Sequence, residues 1–178
     1  YAEILSNLGI TLRNMGRFAE AEDCYRQAIQ IKPDYADAHN NLGNILKGLG
    51  RQYEAEDSYR RALQINPDYA DAQLNLGNAL KDMKRLNEAE DCYRQVLKLI
   101  PNSAEAHGNL GTLLIYLARP DEAETSLRRA IQIKPDYADA HNNLGAVLLD
   151  MGRIAEAETS CRQALQINPD KAAAHCNL

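Results

Sequence analysis

An all-α solenoid of antiparallel helix pairs is the fold class this sequence predicts, and three observations carry the prediction. The text repeats every 34 residues without slipping: Ile29–Gly43 reads IQIKPDYADAHNNLG, and the same letters return at Ile131–Gly145, three periods later. Within each period, apolar residues recur at helical spacing in two separate runs. A proline closes every period, at Pro33, Pro67, Pro101, Pro135 and Pro169, where the missing N–H and the ring end a helix. Such a period means that each unit buries its apolar face on its neighbours, with no central core. A single array over 1–178 is therefore expected, with repeats at 2–35, 36–69, 70–103, 104–137 and 138–171 and a partial sixth at 172–178.

The repeat Ala36–Tyr69 justifies each element in turn. Leu42, Ile45, Leu46 and Leu49 line a first helix over about 36–49, Gly50-Arg51 makes a turn, and Ala55, Tyr59, Ala62, Leu63 and Ile65 line a second over about 53–65. After each proline stands a residue able to cap the next helix, Asp34, Asp68, Asn102 or Asp136, with an acid three residues further on. Every second helix carries a Glu and an Arg four apart (Glu22/Arg26, Glu56/Arg60, Glu90/Arg94, Glu124/Arg128, Glu158/Arg162), expected to form a solvated outer face. A helical glycine costs about 1 kcal/mol against alanine. Gly9, Gly43, Gly77, Gly111 and Gly145, all in one register, therefore imply close helix approach to a small residue such as Ala21, Ala55, Ala89, Ala123 or Ala157.

Leu42, Gly43, Leu46, Ala55, Tyr59, Ala62 and Pro67, in their 34-residue frame, resemble the tetratricopeptide repeat, and the resemblance covers essentially the whole chain. The wording AHNNLGN and AEDCYRQAIQIKP is more loosely similar to the repeat arms of O-GlcNAc transferases and related bacterial proteins. The resemblance implies a right-handed superhelix whose first helices line a concave, peptide-holding groove. The sequence departs from the family pattern in several places. His39, His107, His141 and His175 stand where a large aromatic is usual, and Tyr53 puts the aromatic of that helix one position late. Lys84 and Ala118 replace the turn glycine, Leu127 the tyrosine, and Pro120 opens a helix, where its fixed φ is tolerated.

Charge and composition exclude several function classes. A net charge of −5, with Lys and Arg spread among acids, argues against nucleic acid as a partner. No apolar run reaches a membrane span. The chain opens on Tyr1, in the register of Tyr35, Tyr69 and Tyr137, so both ends look cut from a longer array and self-association through exposed ends is expected. Cys24, Cys92, Cys161 and Cys176 form no C-x-x-C pair, and reduced thiols in an intracellular, cytoplasmic setting are the expectation. No phosphate loop, nucleophile elbow or zinc-protease motif occurs, so no catalytic, cofactor or metal residue is assigned. The histidines recur in one slot of different repeats, which suits a half-buried structural residue better than a ligand cluster. The turn series Arg17, Arg51, Arg85, Arg119 and Arg153 reads as a salt-bridged edge ahead of an anion site.

The informative face is the one the first helices leave open. One of its slots is always asparagine: Asn7, Asn41, Asn75, Asn109, Asn143 and Asn177. Asparagine is a mediocre helix residue, and its amide can tie adjacent repeats together, hold the backbone of an extended peptide, or do both. Around this ladder the expected peptide-binding residues are Asn40, Asn44, Lys47, Leu74, Asn78, Lys81, Thr112, Ile115, Tyr116, Asn142 and Leu149. Arg13, Lys47 and Lys81 make the early repeats basic, and Ile115, Tyr116 and Leu149 make the later ones apolar. Ser6, Asn40 and Asp71 occupy the slots of the Lys/Arg clamp of chaperone-binding relatives, which disfavours chaperone C-termini. The expected function is a non-catalytic protein–protein interaction scaffold, with a substrate-recruiting arm of a glycosyltransferase-like enzyme as the alternative.

Overall fold

The computed structural model describes residues 1–169. Ten α-helices and no strand occur among them: α1 Ala2–Asn14, α2 Phe18–Ile31, α3 Ala36–Gly48, α4 Gln52–Ile65, α5 Ala70–Asp82, α6 Leu86–Leu99, α7 Ala104–Tyr116, α8 Pro120–Ile133, α9 Ala138–Asp150 and α10 Ile154–Ile167. First helices start at 2, 36, 70, 104 and 138, and second helices at 18, 52, 86, 120 and 154, so the period of the sequence is the period of the backbone. The all-α helical-repeat class is the one observed. The expected partial helix at 172–178 lies outside the described residues. The chain packs as two compact units, one over Tyr1–Cys92 and one beginning at Tyr93. In the first unit α1 pairs with α2 and α3 with α4, and α2 packs on α3 and α4 on α5; in the second α7 pairs with α8, α8 packs on α9, and α9 pairs with α10.

Three of the helix pairs share one close approach. A Cβ built on Gly43 would stand 2.5 Å from Tyr59 Cε1; on Gly9 it would stand 2.7 Å from Tyr25 Cε1, and on Gly111 2.6 Å from Leu127 Cγ. Even a methyl group is excluded there. Tyr25, Tyr59 and Leu127 are fully buried, so the glycines give up helix propensity to seat a large side chain.

The expected caps are not the ones used. Pro33 and Asp34 are the central residues of a β-turn closed by Tyr35 N–H on Lys32 O (3.2 Å), and Tyr69 on Asn66 and Tyr137 on Lys134 repeat it. The N-cap positions are thus Tyr35, Tyr69 and Tyr137, which cap with no side-chain bond; at the matching position Ser103, accepting from Ala106 N–H, caps its helix in the usual way. The tyrosines pack on the neighbouring repeat instead: a Cβ on Gly108 would lie 2.7 Å from the Tyr137 ring.

Repeats are joined by polar contacts as well as apolar ones. His39, His107 and His141 each place Nε2 2.9–3.1 Å from the carbonyl of the proline six residues earlier, which staples a first helix to the end of the preceding second helix. The Glu/Arg pairs expected to lie on a solvated face are half of a larger arrangement. Glu22 accepts from Arg26 of its own helix and, at 2.9 Å through both oxygens, from Arg51 in the next repeat's turn. Arg51 also grips Glu54, and Glu54 lies 3.7 Å from Arg26, closing a four-residue ring. Glu56, Arg60, Arg85 and Glu88 form a second ring; Glu124, Arg128, Arg153 and Glu156 form a third. The glutamates at their hearts are only 13%, 9% and 15% exposed at Glu22, Glu56 and Glu124. Burial pushes the Glu22 carboxyl up, yet the hydrogen bonds from Arg26 and Arg51 outweigh it and hold it below the usual range; at Glu124 the bond from Arg128 dominates, with the same result.

Two predictions follow from this packing. The turn residue has φ of +74° to +78° at Gly16, Gly50 and Gly152, but Ala118 adopts φ +54° with a side chain. A left-handed L-residue costs about 1–2 kcal/mol, and glycine returns about 0.5–1 kcal/mol of that through the unfolded chain. Ala118→Gly should therefore stabilise by roughly 0.5–1 kcal/mol in a urea titration, and a destabilised variant would refute this account of the turn. In acid, the depressed carboxyls of Glu22 and Glu124 contribute stability that is complete above the unfolded carboxylate range and lost as pH falls below about 4.3. His39 and His107, held neutral by burial, add a loss that begins as pH falls through about 6.5. A melting-temperature profile should fall in both windows, and Glu22→Gln with Glu124→Gln should flatten only the acid one.

Candidate functional site

In the first unit the open face is formed by α1, α3 and α5, which lie side by side. The asparagine slot is exposed at Asn7 and half-buried at Asn41 and Asn75. Asn75 Nδ2 donates to Asn40 Oδ1 of the preceding repeat at 3.0 Å. Asn40 is buried, 5% exposed, and its own amide points to the Tyr69 hydroxyl at 3.5 Å. The structure therefore removes Asn40 from the set of ligand-facing residues, because the neighbouring repeat covers it. The Asn41 side chain has no hydrogen bond among the described residues: the matching positions of the repeat before it hold Ser6 and Ile10, where Asn75 meets Asn40. Asn44 is turned inward, accepting from the Tyr59 hydroxyl at 2.8 Å. Lys47 is paired with Asp82 at 3.1 Å, an ion pair the sequence reading missed, because its members lie one position out of register in adjacent repeats. Lys81 is half-buried with no ion pair among the described residues, and Leu74 and Asn78 are half-buried beside it.

In the second unit the same face is formed by α7 and α9. Asn143 Nδ2 donates to Thr112 Oγ1 at 2.8 Å, and that hydroxyl in turn donates to Gly108 O at 2.9 Å. Asn109 and Ile115 are half-buried, while Tyr116 and Leu149 are exposed, the tyrosine at 64%. Asn142, expected to face a ligand, is buried at 7%, a second correction to that set. Asn75 and Asn143 tie repeats through one N–H, and their carbonyl oxygens accept no hydrogen bond among the described residues.

No group of three or more His, Cys, Asp or Glu is arranged to hold a metal among the described residues, and no helix there is long and apolar enough to cross a membrane. Cys24 and Cys92 are buried free thiols. Burial pushes Cys92 up to about 11, so it is a poor nucleophile although it borders a cavity of about 430 Å³ between α4, α5 and α6. Cys161 departs from the expectation of reduced thiols: it is disulfide-bonded. The expectation for Cys176 lies outside the described residues.

The Asn44–Tyr59 bond has a missing counterpart one repeat earlier. Ile10 occupies the slot of Asn44, and the buried Tyr25 hydroxyl has no partner among the described residues. Tyr59→Phe should cost about 0.5–1.5 kcal/mol, and Tyr25→Phe should be neutral or stabilising. Equal losses in thermal denaturation would contradict this difference.

Comparison with known proteins follows the same lines. Family models described as tetratricopeptide repeat match residues 1–68, 34–101 and 68–136, and a further one matches 138–171. No curated protein sequence matches significantly. Among solved structures, MamA is 23% identical with a TM-score of 0.81, covering 99% of this chain and 97% of its own. The pilF protein of Pseudomonas aeruginosa is 21% identical with a TM-score of 0.88, covering 94% and 76%. YrrB, described as a TPR protein with an unusual peptide-binding site, is 23% identical with a TM-score of 0.79, covering 100% and 93%. At these identities the likeness is one of fold.

Proposed function

This chain belongs to the tetratricopeptide-repeat family, and from that premise we propose that it is a non-catalytic protein–protein interaction scaffold that holds an extended peptide or partner segment on its first-helix faces. The observation that carries the reading is the asparagine column. The half-buried amides of Asn41, Asn75 and Asn143, with groups that make no hydrogen bond among the described residues, suit the repeating N–H and C=O groups of an extended chain, whatever its side chains. YrrB supports the reading as a protein of the same fold whose description includes a peptide-binding site. Side-chain preference then comes from what flanks the column. Arg13 and Lys81 on the first unit favour acidic residues, and Tyr116 and Leu149 on the second favour apolar ones.

Asn41 separates binding from packing, since it makes no bond to a neighbouring repeat among the described residues. Peptides selected from a random library would serve as ligands, with affinity read by fluorescence anisotropy. Asn41→Ala should weaken unrelated peptides by roughly two- to tenfold while stability holds or rises slightly, alanine being the better helix former. Asn75→Ala should lose both affinity and about 0.5–1.5 kcal/mol of stability. Unchanged affinity in folded Asn41→Ala and Asn75→Ala would mean that the column is scaffolding alone.

A further inference from the structure

Two crevices of nearly equal size recur one repeat apart in the first unit, and they differ in charge. The earlier, of about 410 Å³, is lined by Arg26, Ile29, His39, Leu42, Asp57 and Arg61. The later, of about 430 Å³, has Arg60, Leu63, Gln73, Leu76 and Asp91 in the matching slots. Arg26 and Arg60 belong to the charge rings, each of which holds two glutamates and two arginines and so carries no net charge. What remains decides the charge of each crevice. The earlier one keeps Asp57 and Arg61, which cancel. The later one keeps Asp91 alone, because Gln95 stands in the slot of Arg61. Asp91 is exposed and has no hydrogen bond or ion pair among the described residues. The later crevice also has Gln73 where α3, α7 and α9 have histidine, so an amide with both a donor and an acceptor borders it.

We propose that the crevice at Asp91 is a second binding site, sharing no residue with the asparagine column, for an arginine or lysine side chain presented by a partner protein. Such a side chain matches both halves of the crevice. Its alkyl stem packs on Leu63, Leu76 and Leu80, and its cationic head meets the Asp91 carboxylate. The apolar part is a firm surface, since Leu76 and Leu80 are 4% and 1% exposed and Cys92 beside them is 5% exposed. The Cys92 thiol, pushed by burial up to about 11, stays protonated and adds no charge of its own. The rim residues Gln64, Glu88 and Asp91 are exposed. An occupant therefore enters by one end while its other end stays outside, as a side chain on a partner's backbone does. The earlier crevice offers a similar apolar surface without net charge, so the chain carries its own comparison.

Titration of the full chain, followed by backbone amide NMR signals, tests this. The probes are arginine capped as its N-acetyl methylamide, butylguanidinium, and the uncharged 1-pentanol. Capped arginine should move the signals of Gln64, Gln73, Asp91 and Cys92 saturably and bind there more tightly than 1-pentanol. Asp91→Asn should weaken capped arginine about two- to fivefold and leave 1-pentanol unchanged. Melting should not change in that variant, because Asp91 is exposed and unpaired among the described residues. Arg61→Gln leaves Asp57 as the net charge of the earlier crevice, and should raise its affinity for capped arginine by a similar factor, read at Gln30, His39 and Ser58. Asn41→Ala should bind the probe as the wild type does, which keeps this site separate from the column. Absence of saturable shifts, wild-type affinity in folded Asp91→Asn, or equal binding at the two crevices of the wild type overturns the proposal. Butylguanidinium bound more tightly than capped arginine overturns the partner side chain as occupant, in favour of a free alkyl cation.

Discussion

Everything in this fold depends on how closely two helices of a pair can approach. At Gly43 the backbone lies against the Tyr59 ring with no room for a methyl group, and Gly9 with Tyr25 and Gly111 with Leu127 repeat the contact. That approach fixes the distance between the helices and so turns the rest of the first helix outward. It also explains why glycine is kept in mid-helix despite its cost of about 1 kcal/mol, since the residue it seats is among the largest in the core. Where the seated residue changes from tyrosine to leucine, as at Leu127, the glycine remains. The constraint is thus the approach itself and not the aromatic ring.

With the pairs fixed, the repeats must still find one another in register, and apolar contact alone is permissive. The polar contacts supply the specificity. A histidine reaches back to the proline carbonyl that ends the previous helix, which fixes the start of the new one. The Arg–Glu rings then lock the far end, each through a mostly buried glutamate that accepts from two guanidinium groups. Removing either arginine would leave a carboxylate with half its partners in a poorly hydrated place.

The candidate site is the by-product of that register. Once the apolar arc and the ring residues are committed, the first helices have one arc left, and the asparagines lie along its edge. Their position is a compromise: close enough to the next repeat for Asn75 and Asn143 to donate to it, open enough to leave amide groups uncommitted. Flanking charge is similarly divided, because Asp82 pairs with Lys47 while Lys81 has no ion pair among the described residues.

Much of this was legible in one dimension. The period, the helix pairs, the prolines and the glycine register follow from spacing, because helical packing acts between residues three, four and seven apart and repeats it every 34. The family followed from the same residues. What the sequence could not decide is where a side chain with two possible partners goes. Glu22 and Arg26 look like a surface pair until Arg51, 29 residues away, arrives from the next turn. Asp34 looks like a cap until the turn geometry places Tyr35 in that position. Asn40 and Asn41 are neighbours of the same chemistry, yet one is buried beside Tyr69 and the other is open. A residue's own helix sets the direction of its side chain; only the packing of the next repeat determines whether that direction ends in solvent, in a hydrogen bond or in the core.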